Sequence, residues 1–148
     1  MARVKVKIKR LSPDAIMPER KTAGAVGFDL ASIQDVELRN LNVYPKATII
    51  HTGIALDIPK GYHAKIFLRS STGLNTKLRL ANGTGILDSD YKGEVLILAE
   101  NNSREVVRVS KGERIAQFLI EKDEDVILEE VSQIAKSTHG GLGSTGRM

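Results

Sequence analysis

Residues 47–70 read ATIIHTGIALDIPKGYHAKIFLRS, two apolar runs split by Pro59-Lys60-Gly61. β-branched and aromatic residues dominate both runs, and Pro-Lys-Gly is turn chemistry, so the stretch predicts strands over 47–59 and 62–70. The same style extends in both directions. VKVKIK (4–9) alternates apolar and basic residues with a period of two, as a half-buried strand requires. DVELRN (35–40), GEVLILAE (93–100), EVVRVS (105–110), ERIAQFLIEK (113–122) and DVILEEVS (125–132) follow it. Asn82-Gly83, Asn101-Asn102-Ser103 and Lys111-Gly112 supply turns, and LNTKLRLA (74–81) is the one stretch that reads as a short helical turn. Many short strands predict an all-β sandwich, jelly roll or small barrel. Residues 1–132 form the expected β domain, and 133–148 a polar, glycine-rich arm.

Composition narrows the function classes. A chain of 148 residues can bury a core without metal or disulfide support. Hydrophobic residues at 41% and charged residues at 27% describe a soluble globular protein rather than a disordered one. With no cysteine there is no disulfide, thiolate nucleophile or cysteine-bound zinc, and His51, His63 and His139 are too few for a histidine metal cluster. No apolar run approaches the ~20 residues of a membrane span, and MARVKVKIKR lacks a signal peptide's apolar core. The expectation is a cytoplasmic protein with no membrane contact. A net charge of +4 is spread along the chain and aromatics are only 4%, so direct nucleic-acid binding is not expected.

Five polar, glycine-rich clusters interrupt the strand pattern: AGAVGFDLAS (23–32), RSSTG (69–73), NGTGILDSDYKGEV (82–95), GERIAQFLI (112–120) and GGLGSTG (140–146). The third is the richest. Asn82-Gly83 and Asp88-Ser89-Asp90 are ordinary hairpin turns on one reading. On the other, the hairpin is itself a pocket, with Asn82 offering donor and acceptor to a base and Asp88 able to deprotonate a water. Tyr91 is either packed on its own strand or a flat ring beneath a sugar, where it would exclude a 2′-hydroxyl.

Arg69, Ser70 and Ser71 bring a guanidinium fork and two hydroxyls, the groups that bind phosphate, although such triplets are common on surfaces. Asp29 either holds a turn or stands near a magnesium ion, which favours carboxylates, waters and phosphates. Gln117 either faces solvent or reaches a phosphate oxygen or a metal-bound water.

In this order and spacing, with Arg69, Asn82, Asp88 and Tyr91 in step and GILDSDYKGEV nearly a signature, the chain resembles the trimeric dUTPase family over residues 23–146. That resemblance implies a jelly-roll homotrimer with active sites at subunit interfaces and a mobile C-terminal arm. It implies hydrolysis of dUTP to dUMP and pyrophosphate, keeping uracil out of DNA and supplying dUMP for thymidylate synthesis. Asp88 would activate the water that attacks the α-phosphorus. Asn82 and the backbone at Ile86 and Leu87 would read uracil, and Tyr91 would enforce deoxyribose, with Leu96 also in the substrate-binding set. Arg69, Ser70, Ser71 and Gln117 would hold phosphates from a neighbouring subunit. Mg2+ would ride on the triphosphate, oriented through water by Asp29. Gly141, Leu142, Gly143, Ser144 and Thr145 would close over the nucleotide. The location would be the cytoplasm, or the host's cytoplasm for a viral chain.

The tail departs from the family pattern. Ser137 stands where the family carries an arginine, and Leu142 where it carries a phenylalanine. Lys136 or Arg147 offers a substitute cation, and Phe28 or Phe118 a substitute ring. Two other readings remain: a dCTP deaminase-like activity on the same scaffold, for which no matching glutamate segment is visible, and a non-enzymatic β-rich oligomer that binds a partner.

Overall fold

The computed structural model describes residues 3–143 and 146. Its order is β1 (Lys7–Arg10), β2 (Phe28–Ala31), β3 (Val36–Leu38), β4 (Thr48–Asp57), β5 (Tyr62–Leu68), α1 (Ser70–Asn75), β6 (Leu78–Leu80), β7 (Gly85–Leu87), β8 (Glu94–Asn101), β9 (Val107–Val109) and β10 (Arg114–Lys122). Two antiparallel four-stranded sheets, β1-β4-β8-β6 and β2-β10-β5-β7, are joined by the small β3-β9 pair. From β4 to β8 successive strands belong to alternate sheets. Each connection therefore crosses between layers, which gives the jelly-roll sandwich expected from the sequence.

Alternation places the core between the sheets. β8 buries Val95, Ile97 and Ala99 while the residues between them stay half-exposed. Ile50, Ile54, Leu56, Ala64, Ile66, Ala116 and Phe118 meet them from the neighbouring strands. β4 breaks the alternation: residues 52–56 are all buried, and its register against β8 slips between His51 and Ala55. Gly53, at φ +68°, sits at this bulge, with its carbonyl accepting from Leu11 N–H at 2.7 Å. At the sheet's outer edge, β1 exposes Lys7, Lys9 and Arg10, a charged border that discourages pairing with another chain.

Three local expectations change. The helix covers 70–75, and only its last turn enters the stretch expected to be helical. Leu78 and Leu80 are buried on either side of exposed Arg79, so that part takes the period of a strand and pairs with β8. Residues 125–132 form no strand, and Val126, Ile127 and Leu128 are largely exposed, because no ladder among the described residues receives them. The 82–95 stretch is not a hairpin. β7 pairs with β5 and β8 pairs with β4 and β6, so the segment is a corner passing from one sheet to the other.

Asn101 fixes the far end of β8. Its fully buried side chain donates to Leu38 O at 2.8 Å and Glu105 O at 2.7 Å, and accepts from Ser103 N–H at 2.9 Å and Ser103 Oγ–H at 2.7 Å. Asn101→Leu keeps the volume but strips these groups of their partners. It is expected to lower stability by about 2–4 kcal/mol in urea unfolding, whereas Asn102→Leu on the exposed neighbour should stay within about 0.5 kcal/mol.

Candidate active site

The corner is shaped by its turns. Gly83, at φ +69°, donates its N–H to Leu80 O at 3.0 Å, a conformation that suits the Asn-Gly pair. Next comes β7, an edge strand held on one side by β5, so alternate residues turn backbone N–H and C=O away from the sheet. Ile86 is exposed there and Leu87 half-buried. Tyr91 N–H donates to Asp88 O at 3.1 Å and closes the next turn. The Tyr91 ring is not packed in the core: it is 41% exposed and folds back so that its hydroxyl donates to Glu94 O at 2.6 Å. This fold needs Gly93, where a Cβ would lie 2.8 Å from the Tyr91 hydroxyl.

Asp88 presents an exposed carboxylate to an open cleft of about 840 Å³. Ile86, Asp88, Asp90, Pro59, His63 and Asp123 line it. Lys92, at the rim, bonds the Asp57 carboxylate; this hydrogen bond, then the ammonium charge, holds Asp57 below the usual carboxylate range. Whatever this pair adds to stability is present above the ordinary carboxylate pKa and is lost as pH falls through the lowered one.

A second group gathers elsewhere on the same sheet. Asp29 of β2 and Gln117 of β10 are register partners, and Gln117 also pairs with Phe67 of β5. Arg69, at the end of β5, donates Nη1–H to Arg114 O at 3.0 Å and places Nε 3.5 Å from Asp29 Oδ1. Asp29 is buried, and its Oδ2 has no hydrogen-bond partner among the described residues. Gly27 makes room for Gln117, since a Cβ there would lie 2.4 Å from Gln117 Oε1. Arg69 and Ser71 open onto a cleft of about 430 Å³ shared with Lys21, Arg108 and Arg114, a strongly cationic lining suited to an anion.

The two groups do not meet within one chain. Leu87 pairs with Ala64, which sets Asp88 beside the level of His63, six residues along β5 from Arg69. At the rise of a β-strand this separates them by roughly 20 Å. Leu96 stands apart from both clefts, in β8 of the other sheet, opposite His51. Ser70 and Ser71 are exposed in the first turn of α1, and Asn82 is exposed on its turn. Beyond β10, residues 123–143 are exposed and carry neither strand nor helix. Gly141 and Gly143 have φ of +91° and +75°, with a fully exposed Leu142 between them; Ser144, Thr145 and Arg147 lie outside the described residues. Phe28 and Phe118 stack on each other at 5.4 Å, and Phe118 is buried, so its ring is not free to replace the expected phenylalanine. Sequence reasoning did not pick out His63, Asp123 or Lys92, whose only signal was proximity to turns.

Comparison with known proteins decides the family. The dUTPase family profile matches residues 13–146. The chain belongs to the dUTPase family. It is 38% identical over 147 residues to the deoxyuridine 5'-triphosphate nucleotidohydrolase of Nautilia profundicola, covering 97% of this chain and 100% of that one. The corresponding Hydrogenobaculum protein is 36% identical over 146 residues, covering 97% and 99%. Among solved structures, a dUTPase variant of Staphylococcus bacteriophage 80alpha with dUpNHpp superposes with a TM-score of 0.82 at 26% identity, covering 96% of this chain and 98% of that one. The chain is thus an enzyme of this family, and the comparisons support neither the deaminase nor the non-enzymatic reading.

Gly27→Ala should retain the fold at a cost of about 1 kcal/mol, because the carboxamide it strikes ends a flexible side chain. Thermal melting and the Gln117 side-chain amide resonances check this: a small shift in Tm with displaced resonances is expected, and unmoved resonances would contradict it.

Proposed function

We propose that the chain hydrolyses dUTP to dUMP and pyrophosphate in sites shared between subunits of a homotrimer. The observation that carries this reading is the separation of Asp88 from Arg69. A triphosphate whose α-phosphorus lies near Asp88 cannot also use the Arg69 of the same chain, so the cationic cleft serves a neighbour's substrate. Family membership supports both the substrate and the trimer. Its nucleotide substrate makes the cytoplasm the natural location.

Asp88 orients a water in its cleft and takes its proton as the oxygen attacks the α-phosphorus. The new P–O bond forms as the bond to the β-phosphate oxygen breaks, and pyrophosphate leaves. Asn82 and the outward backbone of β7 at Ile86 and Leu87 pair with uracil. A cytosine would leave a buried partner unpaired. Tyr91 lies against the deoxyribose and leaves no room for a 2′-hydroxyl. From the adjacent subunit, Arg69, Ser70, Ser71 and Gln117 neutralise and align the phosphates. Leu96, on the half-exposed face of β8, lines neither cleft of its own chain.

The residues fit magnesium in a supporting role. No group of three or more metal-ligating side chains occurs among the described residues, while Asp29 offers an unpartnered carboxylate oxygen beside Arg69. That combination suits an ion held mainly by phosphates and water, with Asp29 accepting from a bound water. When bound, the ion supplies charge neutralisation on the triphosphate. The chain from 133 onward, exposed over 133–143 and including Gly141, Leu142, Gly143, Ser144 and Thr145, acts as the arm that covers the nucleotide. Leu142 gives apolar cover in place of a ring.

Asp88→Asn is expected to keep dUTP binding and lose at least about 100-fold in kcat. Arg69→Ala should also be nearly inactive. Co-refolding the two variants in equal amounts should restore about a quarter of wild-type turnover, since random assortment pairs an intact Asp88 with a neighbour's intact Arg69 in that share of sites. Mixtures no more active than the separate variants would sink the shared site. Removing residues 137–148 should abolish turnover without changing the oligomeric mass in light scattering.

A further inference from the structure

His63 lies between two carboxylates. Its Nδ1 is 2.7 Å from Asp123 Oδ1 and its Nε2 is 3.3 Å from Glu121 Oε2. A neutral imidazole carries one N–H and one lone pair, so it can satisfy only one of these contacts and turns its lone pair on the other carboxylate. An imidazolium donates to both. The two carboxylates sit at a particular place: Glu121 is near the end of β10, and Asp123 is the residue at which the exposed C-terminal chain begins. Asp123 is also tied through its N–H to Gly61 O at 2.8 Å. His63 and Asp123 line the same cleft as Asp88.

We propose that His63 is a positioning residue whose protonated ring clamps the root of the C-terminal arm beside the Asp88 cleft. Neighbouring charges shape the clamp from each element packed against it. On β5, Lys65 Nζ lies 2.7 Å from Glu121 Oε2 and keeps that carboxylate ionised and engaged, so Glu121 retains a partner when the ring is neutral. Asp123 has no such second cation among the described ion pairs and depends on the ring. The turn before β5 contributes Lys60 and the Asp57–Lys92 pair, and the corner contributes Asp88 and Asp90, which line the same cleft. The arm root is therefore held when the ring carries both protons and loosened when it carries one.

Hydrogen exchange on the full-length chain tests this. Protection of the amides of residues 121–125, corrected for intrinsic rates, should fall about tenfold as pH rises through about 5 to 8, as one charge-assisted contact is lost. In His63→Gln and Asp123→Asn the same amides should be less protected and independent of pH. Unchanged protection of β4 and β8 confirms that each variant is folded, and Asp123→Asn, which leaves the ring in place, decides the matter if His63→Gln is not. A wild type without pH dependence, or variants that keep it, would overturn the clamp. The kinetic consequence rests on the function proposed above: KM for dUTP should rise with the same midpoint while kcat changes less. Exchange reads the clamp without reference to substrate, so absent dUTP turnover in the wild type would refute that function and leave the exchange result to judge the clamp.

Discussion

The seven-residue ladder between β5 and β10, from Ala116↔Leu68 to Lys122↔Tyr62, is the constraint on which the rest of the molecule depends. It is central in its sheet, flanked by β2 and β7, and its inward residues Ala64, Ile66, Ala116 and Phe118 belong to the core. Its length also sets the distance between the functional groups. One end carries Arg69, Gln117 and, through β2, Asp29. The other carries His63, Glu121 and, through β7, Asp88. A one-residue slip would turn Gln117 inward and Phe118 outward, so the register that builds the core also aims the polar side chains. Packing and chemistry are fixed by the same hydrogen bonds.

Much of this architecture was legible in the sequence because short apolar runs bounded by turn residues are a local signal. VLILAE and RIAQFLIEK mark strands in this way, but Leu96 and Leu98 are as apolar as Val95 and Ile97, and only the partner strands decide which pair is buried. Pairing is not local, and there the reading failed. NGTGILDSDYKGEV has the turn residues of a hairpin, yet the strands on either side of its Asp-Ser-Asp turn join different sheets, a choice made by β5 and β4 rather than by the turn. DVILEEVS has the composition of a strand but finds no ladder among the described residues. The bulge at Gly53 was hidden for a related reason: buried residues on both sides of β4 look like an ordinary apolar run until the slip against β8 is seen.

The site was legible to a different degree. Asp88, Arg69, Asn82, Tyr91 and Gln117 are polar residues set within or beside strands, and order and spacing singled them out. Their partners were not visible, because contacts such as Gly27 beneath Gln117, Gly93 beneath Tyr91 and Asp123 beside His63 depend on backbone geometry or on elements far apart in sequence. The tail illustrates the reverse case. Its departures at Ser137 and Leu142 are plain in the sequence, and the structure adds that Phe118 is occupied in the core.

The corner between β7 and β8 has a consequence for how such an enzyme can change. Its ends are anchored in separate sheets, whereas residues 88–93 carry no ladder hydrogen bonds and pack little against the core. Substitutions there bear mostly on what the loop touches, with limited cost to the sandwich. The fold's tolerance at this corner is a reservoir of evolvability.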